Sequence, residues 1–264
     1  MYRFEYESPK SLDEALAQFK AHDDATYIAG GMTLVPTLKQ RLAMPSHVID
    51  LAKISSLKGI SFAGGMLKIG AMTTHGEVAA NPLVLEHAPA LAELADNIGD
   101  ASVRNRGTIG GSIANADPAA DYPAAVLALG AEVTTNLRTI KAQDYFVEMF
   151  ETALEEGEII TEISFPATNQ ANYQKFSNPA SRYAVVGVFV AKTDAGVRVA
   201  VTGAGAYVFR VGEYEAALNK NFSSSAIENI TVPADDLNED VHATASYRAH
   251  LISVLTMRAV ASLS

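Results

Sequence analysis

The segment Thr108–Asp121 reads T-I-G-G-S-I-A-N-A-D-P-A-A-D, two adjacent glycines set among small hydroxyl, amide and carboxylate side chains. Lacking Cβ atoms, Gly110 and Gly111 permit positive φ and let backbone N–H groups come close to an anion such as a pyrophosphate. Thr108, Ser112, Asn115, Asp117 and Asp121 add polar partners for a polyol or a heteroaromatic ring. The alternative is a glycine-rich turn, in which Asp117 and Asp121 merely cap the chain around Pro118. Upstream, Tyr27–Leu34 (Y-I-A-G-G-M-T-L) repeats the pattern: a short apolar run, two glycines, a hydroxyl, then helical spacing. Two such cradles point to a bound ligand. Neither matches the dinucleotide fingerprint G-x-G-x-x-G or the Walker pattern, so Rossmann and P-loop readings lack their defining residues.

Composition narrows the chemistry. At 264 residues with 48% hydrophobic content, the chain can bury one large or two modest cores, which predicts two or three compact lobes. A formal net charge of −10 argues against nucleic acid as partner. The absence of cysteine removes disulfides, thiolate zinc sites and thiol nucleophiles, and places any iron–sulfur cluster in another chain. There is no apolar signal core at the start, and the longest apolar run, Ala124–Ala131, falls far short of the roughly 20 residues of a membrane span. The expectation is a cytoplasmic protein with no transmembrane segment. None of the six histidines pairs with another at i, i+4, so no metal site is expected, and no G-x-S-x-G elbow is present. What remains is chemistry done by a bound cofactor that the protein holds and orients.

A capping box at Ser11 (S-L-D-E) opens a helix with Leu12, Ala15, Leu16 and Phe19 on one face. Thr26–Ala29 reads as a strand leading into Gly30 and Gly31, followed by a helix carrying Leu34, Val35, Leu38 and Leu42 up to Pro45, and a strand over Val48–Leu51. This is a small β-α-β unit with a ligand loop after its first strand. Leu67–Ala71 is a strand, Thr74 with Glu77 a second capping box, and Pro89–Ile98 a helix ended by Gly99. The Ala-rich stretch after Pro123 is buried by composition, with helix and strand evenly matched, and Ile159–Phe165 alternates as a strand. Polar Pro166–Asn172 reads as a linker. Beyond it come two β-rich runs, Tyr183–Ala191 and Val197–Thr202, joined by a T-D-A-G hairpin turn. A short helix over Glu213–Leu218, an acidic solvated loop D-D-L-N-E-D and a final helix over Ser246–Ser262 follow, the last with Tyr247, Leu251, Val254 and Leu255 facing inward.

Three stretches together, Ala29–Leu51, I-G-A-M-T-T (Ile69–Thr74) and R-N-R-G-T-I-G-G-S-I-A-N-A-D-P-A-A-D-Y-P (Arg104–Pro123), resemble the FAD-binding middle subunit of molybdenum hydroxylases. The carbon monoxide dehydrogenase medium subunit and the xanthine dehydrogenase flavin domain are of this kind, and the resemblance covers nearly the whole chain. It implies an α+β fold: a two-lobed PCMH-type, vanillyl-alcohol-oxidase-like FAD-binding domain over residues 1–168 (lobes about 1–55 and 56–168). A small α+β domain over 169–264 follows, with an antiparallel sheet and helices.

It further implies that Ala29, Gly30, Gly31, Met32, Thr33 and Leu34 hold the FAD pyrophosphate. Met32 stands where a polar residue is common. Thr108, Gly110, Gly111 and Ser112 would contact phosphate and ribityl groups, with Asn115 and Asp117 matching the bacterial N-A-D-P form and Asp121 meeting a flavin-side hydroxyl. Ile98 would neighbour the adenine, Ile160 the flavin, and Lys175 would contact the cofactor. Asn178, Pro179 and Arg182 depart from the family's pattern after that lysine. The implied partners are a large molybdopterin subunit, a small [2Fe–2S] subunit and an external acceptor (quinone, NAD or oxygen), in a two-fold, heterohexameric assembly of three-subunit units. Two rivals remain: a freestanding FAD-dependent oxidoreductase of the same fold, like the enolpyruvyl reductases, and a flavin-free assembly subunit.

Overall fold

The computed structural model describes residues 1–264. The chain opens with β1 (Glu5–Glu7), α1 (Leu12–Lys20), β2 (Ala25–Ile28), α2 (Leu34–Lys39) and β3 (His47–Asp50). The strands form an all-parallel sheet in the order β1-β3-β2. Ser11 caps α1 by accepting the Glu14 N–H at 3.2 Å, while the Glu14 carboxylate takes the Lys10 N–H at 2.7 Å. α2 stops at Lys39 rather than continuing to Pro45. Arg41 adopts φ 63°, its N–H donates to Leu38 and that of Leu42 to Thr37, a Schellman closure built without glycine. The β-α-β unit has a small core of Ala15, Ile49, Leu51, Ile54, Leu57, Met72 and Ile159.

The middle of the chain contributes β4 (Ile60–Ala63), β5 (Met66–Gly70), α3 (His75–Ala80), α4 (Pro82–His87), α5 (Pro89–Asp96), α6 (Ala101–Arg104), α7 (Ile109–Asn115) and α8 (Tyr122–Leu129). Then come β6 (Glu132–Thr135), β7 (Thr139–Lys141), the two-stranded pair β8 (Phe146–Glu148) and β9 (Glu151–Thr152), and β10 (Ile160–Pro166). β10 is the central strand of an antiparallel sheet ordered β4-β5-β10-β6-β7. The Thr74–Glu77 capping box closes in both directions. The Ala-rich stretch resolves as α8, all eight of whose residues are buried, with Gly130 at φ 65° ending it before β6. A helix that is apolar on every side has no amphipathic period, so its sequence could not separate helix from strand.

The last third forms β11 (Ala171–Ser177), β12 (Ala184–Thr193), β13 (Gly196–Thr202), β14 (Phe209–Arg210), α9 (Gly212–Lys220) and α10 (Ala245–Ser262), its strands antiparallel in chain order. The predicted hairpin is present, with Gly196 at φ 105°. One face of this sheet, through Tyr173, Phe189, Ala191 and Ala200, shares a 36-residue core with α8; the other, through Val188, Val190, Val199 and Val201, packs on α9 and α10. The connection between β10 and β11 is not a free linker. Ala167 donates to Gly65 and Thr168 to His87, tying it to the middle sheet.

On α10, Leu251 and Leu255 are buried as predicted and Val254 is half-buried, but Tyr247 faces outward, against expectation. Arg248 takes the inward position instead, donating to the Val185 and Gly203 carbonyls and to Asp240, which closes the D-D-L-N-E-D loop. No helix is long and apolar enough to cross a membrane.

Candidate functional site

β2 and the loop after it, α7, the start of β10 and the turn between β11 and β12 surround a cleft of about 500 Å³, within the roughly 300–1,000 Å³ range of ordinary cofactor sites. Fifteen of the predicted residues line it: Ala29, Gly30, Gly31, Met32, Thr33 and Leu34; Ile98; Thr108, Gly110, Gly111, Ser112, Asn115, Asp117 and Asp121; and Ile160. Lys175 does not.

The loop after β2 is the anion cradle. Gly31 turns it at φ 75°, and the N–H groups of five consecutive residues, Gly30 to Leu34, donate to no other group of the chain. Unsatisfied N–H groups in series at a helix start form a concave nest of partial positive charge. Gly30 lets this loop lie against the Arg106–Gly107 backbone: a Cβ there would sit 2.1 Å from the Arg106 carbonyl oxygen.

The second glycine pair works differently from its sequence reading. Gly110 and Gly111 lie inside α7 without positive φ, and Thr108 is its N-cap. The Ile109 N–H donates to Thr73 at 3.1 Å, the Gly110 N–H to Ala71 at 2.9 Å and the Gly111 N–H to the Thr108 hydroxyl at 3.1 Å. Neither glycine N–H is left for an anion, and from Thr108 to Gly111 only the Thr108 N–H has no partner in the chain. The glycines serve close packing instead: a Cβ on Gly110 would meet Ala71 at 2.6 Å, and one on Gly111 would meet Thr108 Oγ1 at 2.9 Å and Ala29 at 3.3 Å. Seated this closely, α7 presents Ser112 and Asn115 to the cleft with side chains that bond to nothing else in the chain.

The two aspartates also depart from expectation. Asp117 forms an Asx turn, accepting the Ala119 N–H at 2.9 Å, and burial raises its carboxyl against that bond. Asp121, expected to meet a ligand hydroxyl, is buried with its carboxylate already engaged. Tyr173 donates to it at 2.5 Å and Lys175 Nζ at 2.9 Å. Burial pushes the Asp121 carboxyl upward and the Lys175 charge pulls it back. Lys175 also donates to the Asn97 carbonyl at 3.2 Å, one residue from Ile98. The pair therefore braces the cleft wall from behind.

Other residues complete the walls. His75 is buried at the cleft, its Nδ1 without a partner, and burial lowers its imidazole from 6.5 to about 4. Glu158 accepts from the Thr135 hydroxyl at 2.6 Å, from Arg138 Nε and an Arg138 terminal nitrogen at 3.2 and 3.1 Å, and from the Glu155 N–H at 2.7 Å. Burial opposes its charge, but Arg138, Thr135 and the Glu155 N–H together hold it below the ordinary 4.5. Asn178 closes a turn by accepting the Ala180 and Ser181 N–H groups and holds the Tyr183 carbonyl, which places Ser181, Arg182 and Tyr183 at the cleft mouth. The S-N-P-A-S-R-Y departure is thus a built turn. Tyr183 and His75 lie in stretches already singled out by sequence; Glu158 carried no signal, because its partners lie mostly 20 or more residues away.

Both the sequence and the fold are similar to those of known proteins. Residues 2–168 match a family described as FAD binding domain in molybdopterin dehydrogenase. The chain is 36% identical to the carbon monoxide dehydrogenase medium chain of Hydrogenophaga pseudoflava, over 98% of this chain and 96% of that one. It is 34% identical to the nicotine 6-hydroxylase medium subunit of Paenarthrobacter nicotinovorans, over 97% and 95%. Among solved structures, it superposes with TM-score 0.90 on a chain of carbon monoxide dehydrogenase from Hydrogenophaga pseudoflava, at 35% identity over 99% and 97% of the two chains. Quinoline 2-oxidoreductase from Pseudomonas putida 86 gives the same TM-score at 28% identity, over 99% and 97%.

Proposed function

This chain belongs to the family of FAD-binding domains of molybdopterin dehydrogenases, and from that premise we propose that it is the electron relay of a molybdenum hydroxylase complex. It receives electrons from [2Fe–2S] clusters in a small partner subunit and delivers them to an external acceptor such as quinone, NAD or oxygen, while a large molybdopterin subunit oxidises the substrate. The observation that carries the reading is the run of five undirected N–H groups, Gly30 to Leu34, facing a cleft with an apolar wall. The lack of cysteine fits, since a chain without thiolates holds no such cluster itself and any cluster that feeds it lies in another subunit.

FAD fits the residues present. The Gly30–Leu34 nest would hold the pyrophosphate, Ser112 and Asn115 would bond polyol or phosphate oxygens, and Ile98 and Ile160 would flank the flat rings. When bound, FAD supplies the exchange between one-electron and two-electron chemistry. The chain's own contribution is to fix the nest at the end of β2, to seat α7 against it and to shield the rings with aliphatic side chains. The same reading divides the chain into an FAD-binding domain over 1–168, supported by the extent of the family match, and a C-terminal domain over 169–264.

The freestanding-reductase alternative needs a proton donor poised in the cleft. His75 is held neutral by burial, Glu158 is held ionised by its donors, and Asp121 is engaged by Tyr173 and Lys175. The test is to isolate the tagged protein from its native host and record its absorption spectrum, its metal content and the masses of co-purifying chains. Flavin and iron–sulfur absorbance, molybdenum and two further chains are expected. A solitary flavin-bearing chain that turns over a substrate would overturn the relay.

A further inference from the structure

At the far end of the first sheet from the nest, three metal-binding side chains converge from three separate elements. Glu7 ends β1, His47 opens β3, and His22 lies in the turn between α1 and β2. Their ligand atoms all lie within 4.8 Å of one another.

Sheet register explains the meeting. Glu7 pairs with Ile49, so it sits diagonally across from His47 on one face, and diagonal neighbours are within reach of long side chains. That face is the one α1 covers, since Ile49 shares a core with Ala15. The turn after α1 then delivers His22, whose N–H donates to Phe19 and whose carbonyl accepts from Ala25, so its backbone is fixed on both sides. No two histidines share a helix face, which is why spacing alone predicted no site.

The side chains supply suitable donors already in contact. The His22 and His47 rings stack with centroids 3.4 Å apart and planes 7° from parallel, and because each nitrogen lone pair lies in its own ring plane, joint ligation turns the two rings out of the stack. Ser46 Oγ lies 3.0 Å from His47 Nδ1, which orients that ring and leaves Nε2 open. His22 Nε2 is 3.5 Å from the Glu7 carboxylate. Two imidazoles and one carboxylate are a donor set of the zinc class, with a fourth position left to water. Bonds of about 2.0–2.1 Å require ligand atoms roughly 3.3 Å apart, so binding draws the half-buried side chains together from within 4.8 Å and rotates the rings toward the ion.

We propose that Glu7, His22 and His47 bind a zinc-class divalent cation that clips the end of α1 to β1 and β3. β2 begins three residues after His22 and ends at the nest, so the clip steadies the strand that carries the Gly30–Leu34 loop.

The test is Zn²⁺ binding to the flavin-loaded full chain after chelator treatment, followed by calorimetric titration and thermal unfolding. The expected result is a single tight site whose occupancy raises Tm. His22→Ala and His47→Ala should each lose about tenfold or more in Zn²⁺ affinity and abolish the zinc-dependent rise, with flavin content unchanged. Glu7→Gln leaves the ring stack in place and should also weaken binding, which separates ligation from packing. Absence of a tight site in the native chain, or equal Zn²⁺ binding by the native chain and all three variants, would overturn the proposal.

Discussion

Gly30 is the residue on which the nest most directly depends. A single added methyl would lie 2.1 Å from the Arg106 carbonyl oxygen and 2.7 Å from Gly107 Cα, both rigid backbone atoms. Gly30→Ala should therefore cost at least the roughly 1–3 kcal/mol of an overpacked site and push the Gly30–Leu34 loop off its wall, so that flavin is lost. Flavin content after gel filtration, with urea unfolding of the same sample, tests this; stoichiometric flavin in Gly30→Ala would show that the cofactor does not rest on this loop. His75 acts through pH. Its unfolded imidazole takes a proton near 6.5, whereas the native one resists until about 4. Between those values the unfolded chain binds more protons, so stability falls as pH falls, by about 3 kcal/mol across the whole window. His75→Gln should flatten that part of the profile in urea unfolding at stepped pH, and an unchanged profile would refute the buried neutral histidine.

At the scale of elements, each glycine motif was legible in the sequence but the role of one was not. Y-I-A-G-G-M-T-L is read correctly as strand, turn and helix start. T-I-G-G-S-I-A-N is a capped helix, because the register between Thr108 and Thr74 and the closeness of Ala71 are tertiary facts that a glycine pair alone cannot express. The same limit hid Asp121, whose partners Tyr173 and Lys175 come from β11, more than fifty residues on. It also hid the α10 register, where buried Arg248 replaces the expected Tyr247 because its guanidinium satisfies two sheet-end carbonyls. The entrance to β10 is a further case. Glu158 fixes the segment that sends Ile159 to the small core and Ile160 to the cleft, and Asn136 clamps Ile159 from the other side. Glu158→Gln should cost about 1–3 kcal/mol through the loss of charge-assisted bonds. Because the native carboxyl is held below its ordinary 4.5, that stability is present above pH 4.5 and lost as pH falls through the native pKa. The difference between native and Glu158→Gln in urea unfolding should therefore shrink on acidification, and a constant gap would contradict the assignment.

For the molecule as a whole, the cleft joins parts of unequal strength. The unit carrying the nest rests on a cluster of only 7 buried core residues, two of them (Met72 and Ile159) supplied by the middle of the chain, against 36 and 19 in the other two clusters, and local opening is cheapest where buried apolar contacts are fewest. Within the cofactor-free chain, amides of β1 to β3 should exchange with solvent well before those of β10, β12 and β13. A ligand that contacts the Gly30–Leu34 loop on one side and α7 and the Ser181–Tyr183 turn on the other binds only when all three are in place, so it stabilises the weakest unit most. Mass action sets the size: at a free FAD concentration of 100 Kd the gain is about 2.7 kcal/mol, which should slow exchange in β1 to β3 by roughly a hundredfold. Hydrogen exchange with mass spectrometry, run on the chain with and without FAD, reads this directly. Uniform protection across the three sheets would show that the first unit is no weaker than the rest, and protection confined to the middle sheet would show that the nest does not touch the cofactor.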